Sequence, residues 1–359
     1  MKKIYLKIFI VNLFFALGIV TLHGLSSSHL LSPMSKPDVF DTVLPKLEMA
    51  KTTYVLTRDY ALVPKSYASS EYDTASAYGV IDFDSGKIIQ ERHLASQLPI
   101  ASLTKIMTAV VASDLLLSED LLPVSKKSAS VEPTRAGFLP GERLTRDELL
   151  RALLMTSAND AAEVLREGTD KKYGGEVFVR AMNAKAAFLG LSATHFENPQ
   201  GYDETTHYSS VHDLAILTQY ALSHYPLLQD IVKTDYLQMS ATSTHKQYDL
   251  YNWNGLLDVY PETQGVKIGN TDAAQKTTVV ISNRGGKKLL VIVLGAPGIL
   301  ERDEWAAALL DDGYQTTLGL KPIAVTEEML RAKYATWKYW ESGAKHLKGY
   351  VGNVKLLEH

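Results

Sequence analysis

The spacing of apolar and polar residues changes character several times along the chain. Ile8 to Leu22 is nearly continuously apolar, interrupted at Asn12 and Gly18, and is preceded by Lys2, Lys3 and Lys7. Residues 27–70 hold several Pro and Ser with weak periodicity, which predicts a linker. Ala77 to Phe83 alternates with the period of a strand, Asp84-Ser85-Gly86-Lys87 is a turn signal, and Ile88-Ile89 begins a return strand. A helical period then takes over. It covers Ala109 to Leu117, Glu142 to Leu165, Gly175 to Leu189 and Asp213 to Leu222, with Thr145 and Glu148 spaced as a capping box. From Gly265 the pattern is β again: Gly265 to Gly269, Thr277 to Ser282, a turn at Asn283 to Gly286, and Lys288 to Leu294. Glu301 to Leu318 is a closing helix.

Strands therefore flank the chain and helices fill its middle, so the two ends must meet in one sheet. This predicts an α+β protein in which helices cover an antiparallel five-stranded sheet, with a helical subdomain in the middle of the chain. The predicted divisions are an N-terminal segment 1–26, a linker 27–70, a catalytic domain 71–318 and a tail 319–359. Thr326 to Ser342 of the tail carries Tyr334, Trp337, Tyr339 and Trp340 among Arg331, Lys333 and Lys338. Such a helix either lies at a membrane interface or docks on the domain.

With 359 residues, 46% apolar and 21% charged, the chain has the makeup of a globular protein. A net charge of −3 gives no reason to expect a nucleic-acid partner. The absence of cysteine excludes disulfides, thiol nucleophiles and lipid attachment at a cysteine after the leader. The basic start followed by an apolar run reads as an export signal, either cleaved or kept as an anchor, and puts the protein in the periplasm or on the outer face of the cytoplasmic membrane.

Three short stretches carry candidate chemistry. The first is Ile100-Ala-Ser102-Leu-Thr-Lys105-Ile-Met-Thr-Ala109. Ser102 and Lys105 stand three apart and share a helix face, with Ile106, Ala109 and Val110 to keep water away. A serine hydroxyl needs a base to become a nucleophile, and a lysine held out of water has a lowered pKa and can be that base. Alone, the stretch is more often an ordinary helix start. The second is Thr156-Ser157-Ala-Asn159-Asp160, polar residues among apolar ones, which is either a cap or turn between helices or part of a site. The third is Lys267-Ile268-Gly269, a strand whose glycine marks a close approach to the backbone. His207 and His212 have no metal-ligand spacing and read as loop and helix-cap residues.

Ser-x-x-Lys, Ser-x-Asn and Lys-x-Gly in this order resemble the triplet of class A β-lactamases and penicillin-binding proteins. The longer segments Pro99 to Ala109, Thr156 to Ala162, Asn198-Pro-Gln-Gly201 and Leu294-Gly-Ala296 are similar to the serine D-Ala-D-Ala carboxypeptidases, the low-molecular-mass penicillin-binding proteins, over roughly residues 75–318. The resemblance implies a β-lactamase/transpeptidase-like fold and an acyl-enzyme on Ser102, formed on peptidoglycan stem peptides ending in D-Ala-D-Ala. Lys105 would be the base and Ser157 a proton relay. Asn159 and Lys267 would bind substrate, and the backbone N–H groups of Ser102 and Asn270, beside Gly269, would hold the oxyanion. Arg302 would help hold the terminal carboxylate. β-Lactams would be covalent inhibitors, and no metal or organic cofactor is implied.

One position departs from that family. Its third motif is Lys-Thr-Gly, and here Ile268 replaces the threonine. Loss of a hydroxyl that bonds a carboxylate costs roughly 1.5–3 kcal/mol. The departure leaves two alternatives beside the carboxypeptidase: a D,D-endopeptidase on cross-links, or a weakly active or non-catalytic peptidoglycan-binding relative. A class A β-lactamase is disfavoured, because no Glu-x-x-Leu-Asn segment lies between Asn159 and Lys267.

Overall fold

The computed structural model describes residues 38–47, 54–58 and 70–336. The N-terminal apolar run, most of the predicted linker and the tail aromatics Trp337, Tyr339 and Trp340 lie outside the described residues. A short helix α1 (Val39–Val43) precedes β1 (Thr57–Arg58), β2 (Ala77–Asp82) and β3 (Lys87–Arg92). A 3-10 turn, Ala101–Thr104, runs directly into α2 (Lys105–Leu115). There follow β4 (Leu121–Pro123), β5 (Arg143–Thr145), α3 (Arg146–Met155), α4 (Asn159–Tyr173), α5 (Phe178–Phe188), α6 (Val211–His224) and α7 (Pro226–Val232). The chain then returns to strands: β6 (Tyr236–Met239), β7 (Tyr248–Tyr251), β8 (Thr263–Thr271), β9 (Gln275–Arg284) and β10 (Lys287–Ala296). Helices α8 (Ile299–Leu318) and α9 (Glu327–Ala335) end the described part.

The main sheet has the order β1-β3-β2-β10-β9-β8, so the first and last strand groups meet between β2 and β10. The predicted sheet of five antiparallel strands is corrected to six. Thr57 and Arg58 pair in parallel with Lys87 and Ile88 at the β3 edge. Two residues are too few to show a period, which is why the pattern did not predict this strand. The stretch predicted as a bare linker also contributes to the core, because Val43 and Leu47 are buried.

The sheet lies between two helical layers, and strand alternation decides which side chain meets which. Leu290, Ile292 and Leu294 of β10 join the large core shared with α2 to α7. Leu289, Val291 and Val293 face the opposite way, against Trp305, Leu309, Leu310 and Tyr314 of α8. Helix α9 closes that second layer with Leu330 and Tyr334, so the described part of the tail docks on the domain.

Helix α2 is the hub of the large core. Lys105, Ile106, Met107, Thr108, Ala109, Val110, Val111 and Ala112 are all buried. A helix apolar on every side belongs inside the protein, and here it takes Lys105 inside with it. The helical region predicted over residues 142–165 is two helices, with the polar Thr156–Asp160 stretch at the turn between them. Thr145 caps α3, accepting from Glu148 N–H, while the Glu148 carboxylate accepts from Thr145 N–H at 2.8 Å. The break falls at Thr156-Ser157-Ala158, where Ser157 has φ +57°. A left-handed residue cannot continue a right-handed helix, so Ser157 turns out of the axis between α3 and α4.

Candidate active site

Ser102 sits on the 3-10 turn, one residue after Ala101, which has φ +50°. Lys105 Nζ lies 2.8 Å from Ser102 Oγ and donates to the carbonyl of Gln200 at 2.7 Å. The Lys105 side chain is fully buried. Burial pushes its amine down to about 7, against the opposing pull of the Asp160 carboxylate. Near neutral pH a large share of this amine is therefore unprotonated, with a lone pair beside a serine hydroxyl.

Ser157 is buried at the start of α4, and among the described residues no hydrogen bond engages its hydroxyl. Asn159 is turned to the loop 132–138: its amide donates to Glu132 O at 3.2 Å and its N–H to Thr134 O at 2.7 Å. Lys267 is buried on β8, and its ammonium donates to Ile268 O at 2.8 Å. Burial, then the positive charges of Lys105 and Arg302, hold Lys267 well below the usual lysine range. The two lysines thus feel each other across the site.

Strand β8 is the outer strand of the sheet and presses its backbone onto the serine turn. A Cβ on Gly269 would stand 2.9 Å from Ser102 N and 2.5 Å from Thr277 Oγ1, so only glycine allows the approach. Thr277 Oγ1 in turn donates to Ile100 O at 3.2 Å. Asn270 follows, paired with Lys276, whose ammonium donates to Asn270 Oδ1 at 2.6 Å. Ile268 is half-buried and pairs with Thr278.

Arg302 is placed differently from the sequence expectation of an open carboxylate ligand. It is 1% exposed, and its guanidinium donates to Asp303 at 2.7 and 2.9 Å and to Tyr334 Oη at 3.1 Å. Tyr334 also bonds Asp303. The reason is α9, thirty residues further on, which covers this end of α8. Arg302 still acts at a distance, since its charge depresses both Lys267 and Lys276.

Several residues support the site in ways that the sequence reading assigned to none of them. The buried Asp160 carboxylate accepts backbone N–H bonds from Ala136, Gly137 and Phe138 at 2.9–3.2 Å and from Ala161 at 2.9 Å, fixing the loop beside Asn159. Glu163, one turn on, accepts from Gln200 Nε2 at 2.8 Å and pairs with Lys127 and Arg166 at 2.7 and 2.8 Å. Gln200 is thereby held with its carbonyl on Lys105. His207 is a loop residue, as expected, but a buried one, and the cap of α6 is Ser210, accepting from Asp213 N–H, rather than His212. An open pocket of about 590 Å³ is lined by Pro99, Asp203, His207, Tyr208 and Ala273; Ser102, Lys105, Ser157 and Lys267 are not among its lining residues. Among the described residues no group of three or more His, Asp or Glu could hold a metal ion.

The arrangement brings together a serine hydroxyl, a buried lysine amine of lowered pKa, a second buried lysine and a strand backbone packed on the serine turn. Comparison with known proteins points to the chemistry of such a set. The D-alanyl-D-alanine carboxypeptidase family model matches residues 65–298. D-alanyl-D-alanine carboxypeptidase DacF of Bacillus subtilis is 33% identical over 239 residues, covering 65% of this chain and 60% of that protein. DacB2 of Mycobacterium tuberculosis is 32% identical over 248 residues, covering 67% of this chain and 82% of that protein. The crystal structure of the Streptomyces K15 DD-transpeptidase superposes with a TM-score of 0.63 at 26% identity, covering 70% of this chain and 99% of that one.

Proposed function

The chain belongs to the D-alanyl-D-alanine carboxypeptidase family, and from that premise we propose that it is an exported serine hydrolase that removes the terminal D-Ala of peptidoglycan stem peptides. The observation that carries this reading is the buried Lys105 amine 2.8 Å from Ser102 Oγ. In the proposed course, Lys105 takes the Ser102 proton as Oγ attacks the carbonyl carbon of the penultimate D-Ala. The oxyanion is held by the N–H groups of Ser102 and Asn270; one such donor is worth ~10²–10³ in rate. The intermediate collapses, the C–N bond breaks, and the departing amine takes a proton through Ser157, which accepts one from the lysine side of the site. Water then attacks the ester by the reverse proton path and frees Ser102. Asn159 gives one amide proton to Glu132 O and keeps a second N–H and Oδ1, either of which can bond the substrate amide. Lys267 and Lys276, with Arg302 behind them, give this end of the groove the positive potential that suits a terminal carboxylate.

Peptidoglycan lies outside the cytoplasm, which supports an exported protein. Among the described residues no helix is long and apolar enough to cross a membrane, and residues 1–26 are the proposed signal or anchor. β-Lactams are the proposed covalent inhibitors, because their strained amide presents the same carbonyl to Ser102. Ile268 favours a second reading, a D,D-endopeptidase or a peptidoglycan binder with slow turnover, since its side chain gives a carboxylate no hydrogen bond.

The test is free D-Ala released from diacyl-L-Lys-D-Ala-D-Ala by the wild-type protein, beside mass analysis of the penicillin-treated protein. Release, with one penicilloyl group on the peptide containing Ser102, is the expected result. Ile268→Thr is expected to raise release about tenfold, the lower end of the value of one hydrogen bond to a charged group. D-Ala freed from cross-linked but not from linear peptides establishes the endopeptidase. Peptide binding with no product from either overturns the hydrolase.

A further inference from the structure

Behind the serine turn a chain of hydrogen bonds runs from a loop histidine to the peptide group that carries the nucleophile. His207 is 4% exposed and packs edge-on to Phe196 with ring centroids 5.7 Å apart. Glu197 N–H donates to His207 Nδ1 at 3.2 Å. That assigns the ring proton to Nε2, which lies 2.7 Å from Thr104 Oγ1. Thr104 has one hydroxyl proton and donates it to the Ala101 carbonyl at 2.9 Å. The direction of every bond is therefore fixed: Glu197 N–H to His207, His207 to Thr104, Thr104 to Ala101 O. Burial lowers the imidazole to about 4, so the neutral form that this chain requires persists across the neutral range.

The last acceptor matters because of what shares its plane. Ala101 C=O and Ser102 N–H belong to one trans peptide group, so they point in opposite directions. Ala101 has φ +50°, a conformation strained for an alanine that persists only when neighbours hold it. Fixing Ala101 O toward Thr104 aims Ser102 N–H the other way. Ser102 N is also the atom that Gly269 of β8 approaches.

We propose that His207 is a positioning residue for acyl transfer: through Thr104 it fixes the Ala101–Ser102 peptide plane, and with it the direction of the Ser102 N–H that receives the oxyanion. This rests on the reading of Ser102 as nucleophile, not on which acyl group it takes. The role is orientation, with no net proton transfer along the chain.

The experiment compares His207→Phe, which keeps a ring but no donor, His207→Gln, whose amide can donate to Thr104, and Thr104→Val, with the double variant Thr104→Val/His207→Phe. Two readouts are taken: kcat and KM for D-Ala release, and the saturating rate and half-saturation constant for labelling of Ser102 by a fluorophosphonate. The label replaces fluoride on phosphorus by Ser102 Oγ and needs no peptide substrate. His207→Phe and Thr104→Val are each expected to lower kcat and the saturating labelling rate about tenfold, with KM and half-saturation unchanged within about twofold. The double variant is expected to be no slower than either single, because one bond chain is cut twice. His207→Gln is expected to recover to within about threefold of wild type. A folded Thr104→Val that labels at the wild-type rate, a loss expressed in KM, or effects that multiply in the double variant overturns the proposal. If His207→Phe does not fold, Thr104→Val, close in shape to threonine, and His207→Gln decide it. Wild-type labelling without D-Ala release would sink the carboxypeptidase reading while leaving this test intact. No labelling of the wild type would overturn both.

Discussion

Ser102→Ala is expected to release no D-Ala and form no penicillin adduct, and Lys105→Arg to slow acylation at least about a thousandfold in a protein that still folds. The first removes the atom that attacks. The second is the more informative, because it keeps a cation and hydrogen-bond donors in place. Arginine stays protonated at any accessible pH and has no lone pair to offer the Ser102 proton. A lost general base typically costs 10²–10⁴ in rate, and the bulkier guanidinium must fit where Lys105 is fully buried. Stopped-flow acylation by a chromogenic β-lactam, beside thermal melting, separates lost chemistry from lost fold. If Lys105→Arg melts like wild type and acylates within tenfold of it, Lys105 is not the base.

The same assignment fixes a pH dependence. Burial sets the Lys105 amine at about 7. Below that value the amine carries a proton and cannot accept another; above it the base is free. The acylation rate of the wild type should therefore rise with pH through a midpoint near 7 and level off above about 8. The Asp160 carboxylate opposes this shift, so burial is the cause that sets the midpoint. A flat profile between pH 5.5 and 9 would contradict the assignment.

Local features of the site were legible in the sequence, and long-range ones were not. Ser102 and Lys105 three apart, with Ile106, Ala109 and Val110 beside them, are a matter of helix period, and the structure buries all of Lys105, Ile106, Ala109 and Val110. The five main strands announced themselves by alternation and by turns at Asp84 to Lys87 and Asn283 to Gly286. What covers Arg302 did not, because Tyr334 lies 32 residues away on a helix whose own pattern says nothing about its target. His207 read as a loop residue for the same reason: its partner Thr104 is 103 residues earlier. The break at Ser157 was half legible: the polar Thr156–Asp160 stretch, poor in good helix formers, allowed a turn between helices, but nothing local distinguished a turn from a site. Thr57 and Arg58 join the sheet by pairing with Lys87 and Ile88 and by the Arg58–Glu91 ion pair at 2.7 Å, contacts with a strand some thirty residues on that a two-residue pattern does not announce.

Gly201→Ala is expected to lower acylation at least a hundredfold and to destabilise the fold by about 2 kcal/mol or more, although residue 201 has no side chain in the site. Gly201 has φ +89°, which already costs an alanine about 1–2 kcal/mol. The collision is the larger matter. A Cβ there would stand 2.0 Å from Ala101 O, 2.5 Å from Ala101 C and 3.0 Å from Ser102 N. These are backbone atoms, so no rotamer change relieves the overlap, and the serine turn or the Asn198–Gly201 segment must move. Either motion disturbs the site. Moving the turn redirects Ser102 N–H, and moving the segment carries away the Gln200 carbonyl that receives Lys105. A displacement near 1 Å is enough for a hundredfold loss. Gly190→Ala is the matched control: it has φ +72° with nothing within 4 Å of the added carbon, so it carries the conformational cost without the collision. Urea midpoints should fall for both, with acylation falling only for Gly201→Ala. Equal acylation in the two variants would mean that the turn carrying Ser102 is not held against residue 201, and that the fit of these two backbones is packing rather than part of the catalytic geometry.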